Sequence, residues 1–240
     1  MTPAAFFLSH PDNILRRNRA AGSDHYGFWY NPKSKFDTSS SICDNSICPE
    51  NSKIGEFIDN VAHSNSRYGL RIFENLIPRE YPCLPFEYSG NPLDPYPTNK
   101  PLISEFRNLV SFKNGRNGAI AESVGAVQFI DFKVADNKLA GMEVSLSDKI
   151  INGYAKIVTG VTFGYTENAD TIVTEDSPRG IITPRSENFS ISGTKFVNFD
   201  INNAAALGDC SHCFGARTVT VDSLSFDDST VPRRIRYQKP

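Results

Sequence analysis

The sequence lacks several features that would identify a common class of protein. None of its apolar runs is long enough to cross a bilayer, and its mean hydropathy is -0.35. It also has no excess of positive charge, because 25 Lys and Arg stand against 27 Asp and Glu for a formal net charge of -2. We therefore expect neither a nucleic-acid partner nor membrane insertion by this segment.

A sustained helical period is also missing, and only 22% of the 240 residues are charged. Asn, Ser, Thr, Gly and Pro are abundant, with 16 glycines and 15 prolines. Apolar residues instead alternate with polar ones in short runs such as Val158–Phe163, Phe189–Gly193 and Thr218–Asp222. This composition favours many short strands joined by turns.

Neither a signal peptide nor a cofactor motif is visible. The first apolar stretch, Phe6–Leu8, is far too short for the hydrophobic part of a signal peptide, and we interpret the chain as a piece of a much larger polypeptide. Asn114–Gly118 reads as a tight turn, since no Lys-Ser/Thr pair follows it as in a phosphate loop. We expect no cofactor.

An internal repeat changes the interpretation of these runs. Phe57–Ile72 resembles Phe129–Val144, a third copy spans Ile14–Tyr30, and Phe196–Gly208 is a weaker fourth. All share an apolar start, an Asn- or Ala-bearing turn and a marker glycine. Successive markers are 42, 72 and 67 residues apart, which are multiples of about 21 to 24 residues. The markers are Gly27, Gly69, Gly141 and Gly208.

The period predicts an all-β fold, a single-stranded parallel β-helix that spans residues 1–240 in roughly eight to ten coils. Asn at the bends tolerates left-handed backbone angles and can bond to the same Asn one coil away. Two segments, about 31–53 and 78–104, interrupt the pattern, and we expect both to protrude as long loops.

The repeat residues also carry a family resemblance. In the same order along the chain, five blocks resemble the fibrocystin-L-like (polycystic kidney and hepatic disease 1-like) family, well over residues 3–145 and loosely beyond. Together the blocks are specific, whereas Gly-Phe-Trp-Tyr by itself would mean little. The blocks are Asn13–Ser23, Tyr26–Tyr30, Gly55–Ser64, Arg67–Ile72 and Phe129–Val144.

The resemblance implies a right-handed β-helix within a large, mostly extracellular glycoprotein, often membrane-anchored and in some lineages ciliary. A related branch contains the cell-surface hyaluronidases. We expect an extracellular or cell-surface location and a structural or adhesive module. Its partners would be neighbouring domains of the parent chain and extracellular proteins or glycans. The alternative is a hyaluronan-type module that binds or depolymerises a glycan.

Five cysteines are candidates for disulfides. Three lie in loops poor in core residues, where secreted proteins place such bonds. The other two form a Cys-Ser-His-Cys sequence with zinc-knuckle spacing and no convincing second ligand pair, so a local disulfide, free thiols and a metal site all stay open. The residues are Cys43, Cys48, Cys83, Cys210 and Cys213, with His212 as the third metal ligand, and Asn188 is a glycosylation candidate.

Candidate catalytic residues are few. His25 and His63 each precede a marker glycine and are either acid/base groups or turn residues. Among the acids, Asp209 is the least periodic, whereas a turn role would explain repeat-equivalent ones. Trp29 would stack on a sugar if it faces outward. The other aspartates are Asp24, Asp59, Asp131, Asp136, Asp227 and Asp228, and the basic clusters are Arg16, Arg17 and Arg19 and Arg233, Arg234 and Arg236.

Overall fold

The computed structural model describes most of the chain. The described residues are 2–32, 47–73, 75–85, 87, 89–91, 93–94, 97–145, 156–169, 178–184, 188–201, 203–209 and 218–237.

Nearly every element in this part of the chain is a short strand, and all strand pairs are parallel. Sheet A contains β1 (Ala4–Leu8), β4 (Tyr26–Tyr30), β7 (Tyr68–Ile72), β10 (Asn117–Ala121), β13 (Ala140–Val144), β16 (Arg179–Ile182), β19 (Ala205–Gly208) and β22 (Ile235–Arg236). Sheet B contains β2 (Ile14–Arg16), β5 (Glu56–Ile58), β8 (Ser104–Arg107), β11 (Val127–Ile130), β14 (Lys156–Thr159), β17 (Phe189–Ser192) and β20 (Val219–Asp222). Sheet C contains β3 (Arg19–Ala21), β6 (Val61–His63), β9 (Val110–Phe112), β12 (Lys133–Ala135), β15 (Thr162–Gly164), β18 (Lys195–Val197) and β21 (Ser225–Asp227).

The chain visits the sheets in the order B, C, A, and each coil lies on the one before it. This is the parallel β-helix that the repeat predicted, and the prediction is confirmed. Helix is limited to a 3-10 turn (Pro49–Asn51) and one short α-helix (Val231–Arg234) among the described residues. No helix in this part of the chain is long and apolar enough to span a bilayer.

Inward-facing side chains stack in columns that fill the interior. In sheet B, Phe57, Phe106 and Phe129 are in register, with ring centroids 5.4 and 5.7 Å apart. In sheet C, Phe163 and Phe196 continue the same arrangement at 5.5 Å. Since each ring contacts the coils above and below, every coil depends on its neighbours for burial.

A left-handed residue closes the corner between sheets B and C in each coil. Asp59 and Asp131 occupy this corner with φ of 56° and 55°, so their equivalence reflects a turn. Asn, Asp and Gly reach this conformation most easily, which explains the sequence bias at the bends. The column consists of Arg17, Asp59, Asn108, Asp131, Gly160, Gly193 and Ser223.

Asparagine side chains bond from coil to coil at the corner before sheet A. The Asn65 amide donates to Asn114 Oδ1 at 3.0 Å, and the Asn114 amide donates to Asn137 Oδ1 at 2.9 Å. All three residues are buried. The ladder satisfies polar groups that burial would otherwise leave unpaired.

Glycines form a further column, at the second position of the sheet A strands. A Cβ on Gly27 would lie 2.6 Å from the Gly69 carbonyl oxygen, and one on Gly69 would lie 2.5 Å from that of Gly118. Gly141 and Gly180 continue the column. The backbones of neighbouring coils therefore approach here more closely than a side chain allows.

The column corrects the sequence repeat in one respect. Gly118 and Gly180 belong to it, although the repeat did not mark them. The fourth marker, Gly208, does not: it pairs with Ile182, and Ala206 stands at the column position. Successive column glycines are 42, 49, 23 and 39 residues apart, so coils of unequal length hid the register.

The two loop regions are joined covalently. A disulfide links Cys48 to Cys83 across 35 residues of sequence, while residues 33–46 of the first loop lie outside the described part. Within the second segment, buried Asn99 donates to the carbonyls of Tyr81 and Leu84 at 3.0 and 3.1 Å. The Pro-rich segment therefore has a structure of its own.

We predict that Gly118→Ala destabilises the chain by at least about 2 kcal/mol, because the new methyl group would lie 2.7 Å from the Gly141 oxygen. Gly22→Ala is the control: its Cβ would meet nothing within 4 Å, so only the left-handed φ of 70° opposes it, at about 1 kcal/mol. Urea unfolding followed by circular dichroism measures both, and equal losses would contradict the packing argument.

We also predict that replacing Cys48 and Cys83 together by Ser lowers the free energy of unfolding by about 3–4 kcal/mol, because the bond closes a long loop. The measurement compares the double variant with the oxidised parent chain in urea. Adding a reductant should lower the stability of the parent by more than that of the double variant. A double variant as stable as the parent would show that the bond does not restrain the unfolded chain.

Candidate functional site

The outer face of sheet A carries an aromatic surface around Trp29. Phe28 and Tyr30 point inward and are fully buried, so alternation places the partly exposed Trp29 outside. Its indole N–H donates to the Phe73 carbonyl at 3.1 Å. The ring of Phe7 packs edge-on at 5.0 Å. Trp29 therefore lies on the outer face of sheet A, and its contact with a sugar stays a prediction.

Arg71 lies beside Trp29 in register on the next coil. Its guanidinium carbon lies 4.4 Å from the Phe73 ring centroid and 4.9 Å from that of Tyr26, and Nε donates to Glu122 at 3.1 Å. Such stacking stabilises a cation on aromatic faces. We call this group the Arg71 cluster, which consists of Tyr26, Trp29, Tyr68, Arg71, Phe73 and Glu122.

A column of basic residues borders the cluster at the start of the sheet A strands. The Arg67 amide donates to the His25 carbonyl at 2.9 Å, and the Arg116 amide donates to the Arg67 carbonyl at 2.8 Å. The three residues therefore follow one another at the coil spacing of about 4.8 Å. Both arginines are exposed, and Arg116 lies 5.9 Å from the Tyr68 ring. We call this column the basic ladder.

Two carboxylates on this side of the coils have different environments. Glu122 pairs with Arg71, whereas Glu143 accepts a hydrogen bond from the buried Asn117 amide at 2.8 Å. Burial raises the pKa of Glu143 above its ordinary value, and the charge of Glu122 raises it further, although the Asn117 bond opposes both. The carboxyl group of Glu143 thus has a raised pKa and lies near a second carboxyl group, that of Glu122, which pairs with Arg71.

The two histidines predicted as equivalent are not. His25 lies at the start of β4 and aligns with Arg67, whereas His63 lies on sheet C, in register with Ala21 and Phe112. The His63 ring stacks on Phe112 at 4.8 Å. His25 Nδ1 is buried and has no hydrogen-bond partner among the described residues. The structure therefore does not place the pair on one face.

Asp209 is distant from both histidines. It follows β19 directly and is buried. Between β4 and β19, sheet A has four intervening strands, so His25 and Asp209 are separated by about 24 Å along the coil axis alone. The grouping of histidines with an aperiodic carboxylate, which would have favoured an enzyme, is absent for these residues.

The remaining aspartates serve corners or ion pairs. Both oxygens of Asp136 accept bonds from Thr166 at 2.7 Å. Asp227 pairs with Lys195 at 2.5 Å, and the next residue, Asp228, has a left-handed φ of 46°. Asp24 is exposed at the corner before β4. Local structure explains these carboxylates without a catalytic role.

The predicted basic clusters mostly have local partners. Arg16 pairs with Glu56, and Arg17 lies 4.0 Å from Asp59, while Arg19 is exposed on β3. At the other cluster, Arg233 and Arg236 both donate to Asn203, and Arg234 lies over the Phe226 ring at 5.1 Å.

Of the modification and metal candidates, Asn188 is exposed directly before β17, and glycosylation there stays a prediction. Cys43, Cys210, His212 and Cys213 lie outside the described residues, so the knuckle stays untested. Within the described part, no three His, Cys, Asp or Glu side chains are grouped so as to hold a metal ion.

Sequence reasoning missed Arg67, Arg116, Asn117 and Glu143. A signal for the arginines was present, because Asn65-Ser-Arg-Tyr-Gly69 and Asn114-Gly-Arg-Asn-Gly118 share the pattern Asn-x-Arg-x-Gly. By itself, the second of these patterns predicts only a tight turn. Nothing in the sequence marked Glu143, because its significance depends on Asn117 one coil away.

The three stacked parallel sheets define the chain as a parallel β-helix. The family described as CEMIP beta-helix matches residues 1–70, which include His25, Trp29 and Arg67. Fibrocystin-L of Homo sapiens is 31% identical over 214 residues, covering 87% of this chain and 5% of the relative. Cell surface hyaluronidase CEMIP2 of Homo sapiens is 28% identical over 224 residues, covering 84% of this chain and 16% of the relative.

The chain is therefore a β-helix segment related to the fibrocystins and the CEMIP hyaluronidases, and the resemblance predicted from its sequence is confirmed. It spans about one twentieth of the length of fibrocystin-L, whose Mus musculus form is 30% identical over 214 residues. A Danio rerio cell surface hyaluronidase is 32% identical over 127 residues, or 48% of this chain.

We predict that Glu143 makes stability fall as pH rises. The pKa of Glu143 in the folded chain is raised above the ordinary value of 4.5. Its contribution to stability is therefore complete below pH 4.5 and is lost as the pH rises through the folded pKa. Glu143→Gln should remove this part of the pH dependence. Melting temperatures from pH 4 to 8 test it, with exposed Glu80→Gln as the control. Identical pH profiles for wild type and Glu143→Gln would refute the assignment.

Proposed function

We propose that this chain is a structural and adhesive β-helix module of a large extracellular or ciliary-surface protein, and that it binds an anionic glycan on the outer face of sheet A. The observation that carries the proposal is the basic ladder beside the Arg71 cluster. Proteins with a matching acidic surface are the other class of partner that this face would accept.

The geometry suits a polymer that lies along the coil axis. Arg67 and Arg116 repeat at about 4.8 Å, and the partly exposed Tyr68 supplies aromatic surface beside them, with Trp29 farther along the sheet A strands. Aromatic rings offer apolar area to the faces of sugars, while arginines bond carboxylate groups in a fixed fork. A glycan that carries regular carboxylates would therefore contact both kinds of side chain at once.

The relatives support an extracellular setting and this kind of ligand. Two of them are named cell surface hyaluronidases, a name that refers to an anionic glycan. They match 84% and 48% of this chain. Fibrocystin-L, whose name does not refer to an enzymatic activity, matches most of the chain. An adhesive module thus agrees with both groups of relatives.

Depolymerisation of the glycan is the second candidate function, and Glu143 favours it. Polysaccharide cleavage commonly uses one carboxyl group that is protonated and a second that is ionised. Glu143 has a raised pKa and lies near Glu122, which pairs with Arg71, so two carboxyl groups in different environments lie on the face that carries the aromatic cluster. This pair replaces His25, His63 and Asp209 as the place to look for acid/base chemistry.

We predict that the chain binds labelled hyaluronan and that Arg67→Ala with Arg116→Ala weakens binding about tenfold, since each exposed ion pair contributes up to about 1 kcal/mol. Arg17→Ala with Arg19→Ala is the matched control, because these exposed arginines lie at the corner between sheets B and C and on sheet C. Fluorescence anisotropy at 50 and 200 mM salt measures the affinity, which should fall with salt.

Size-exclusion chromatography of the same mixtures separates the two functions. Intact polymer that co-elutes with the chain supports adhesion. Shortened polymer supports cleavage, which Glu143→Gln should then abolish while binding persists. Absence of binding to hyaluronan and to two unrelated glycans would overturn the glycan proposal.

A further inference from the structure

The outer face of sheet C contains an apolar groove of about 460 Å³. One outward column reads Phe112, Ala135, Gly164 and Val197 on four successive coils. Two small residues thus stand between two larger ones, and the depression lies where the small residues are. Tyr165 and the corner residue Thr166 are also part of the lining.

The chemistry of the groove is mostly apolar, with one cation at its edge. Lys133 is exposed in the adjacent outward column and lines the groove. Asp136, which also lines it, already accepts two bonds from Thr166. Lys195, farther along the same column as Lys133, is paired with Asp227. A fitting occupant is therefore an apolar side chain with an acidic neighbour.

The Pro-rich segment presents such a side chain. Leu93 is 95% exposed, so it occupies no groove in its own molecule. It sits in a small turn in which its amide donates to Asn91 Oδ1 at 3.0 Å and Ser89 Oγ donates to the Asp94 carbonyl at 2.7 Å. Asp94, next to it, is exposed and acidic.

Two contacts hold the base of the segment. The Cys48–Cys83 disulfide holds one end, and Arg79 pairs with Pro101 in an antiparallel bridge across its base. A loop that is held at its base loses less conformational entropy on docking than one whose ends are free.

We propose that the Leu93 turn of one copy docks into the sheet C groove of a second copy, with Asp94 against Lys133. The segment leaves the coil between sheets A and B, whereas the groove lies on sheet C, so each copy has one of each on different faces. In a dimer formed by such a heterologous contact, one turn and one groove stay unoccupied, so further copies can add and form open chains.

Sedimentation velocity over a concentration series tests the proposal on the purified 240-residue chain. The wild type should associate progressively, and Leu93→Ser should raise the dissociation constant about tenfold or more. Ala135→Leu, which fills the groove, should do the same. Ile14→Ser is the matched control, because Ile14 is 71% exposed on sheet B and lies away from both surfaces.

A charge exchange tests the orientation of the contact. Asp94→Lys and Lys133→Glu should each weaken association, and the double variant should recover it. Circular dichroism confirms that each variant keeps its strand content. A chain that stays monomeric at every concentration, or an association unaffected by these substitutions, would overturn the proposal. If Ala135→Leu fails to fold, the charge exchange alone decides between these outcomes.

Discussion

Close approach of the backbones along the glycine column is the constraint on which the rest of the structure depends. Where Gly69 meets Gly118 and Gly118 meets Gly141, no side chain fits between the strands. Sheet A is therefore held at one spacing from coil to coil, and residues inserted into a coil must leave at the corners. This explains how coils that differ in length by more than twofold keep their phenylalanine and asparagine columns in register.

The same spacing turns distant parts of the sequence into a continuous surface. His25, Arg67 and Arg116 are separated by more than 40 residues each, yet the coils place them one after another. The arginines on the outer face of sheet A are not all neutralised by a carboxylate. Arg71 is balanced by Glu122 and covered by rings, so it belongs to the wall, whereas the exposed arginines of the ladder keep their charge available. Under the proposed function, such a surface would attract a polyanion without a global positive charge.

Much of the fold could be predicted from the sequence because the repeat encodes it locally. The alternation of Phe57 with its polar neighbours, the turn at Asp59 and the glycine at position 69 together specify three strands and their corners. The copy at Phe129–Val144 was aligned correctly for the same reason. The marker at Gly208 failed because alignment by fixed multiples of the period cannot follow coils of variable length.

The site was harder to predict, since it arises between coils. Trp29 was identified, but whether it faced outward depended on which neighbours were buried. Glu143 has a raised pKa because the surrounding wall buries it and Glu122 lies close to it in space, which outweighs the opposing hydrogen bond from Asn117. His25 and His63 looked equivalent in the linear pattern, and strand register placed them on different sides. Side-chain environment, which the linear order does not contain, decided each of these cases.

The Cys48–Cys83 bond also gives the module a mechanical property. In an extended extracellular protein, tension reaches a β-helix through its two ends and tends to peel coils off one at a time. The disulfide bridges 35 residues, including the strands of one whole coil, so that coil cannot lengthen when it detaches. About 120 Å of contour length is thereby withheld from extension, at roughly 3.4 Å per residue. Reduction of one bond would convert a stiff segment into a compliant one.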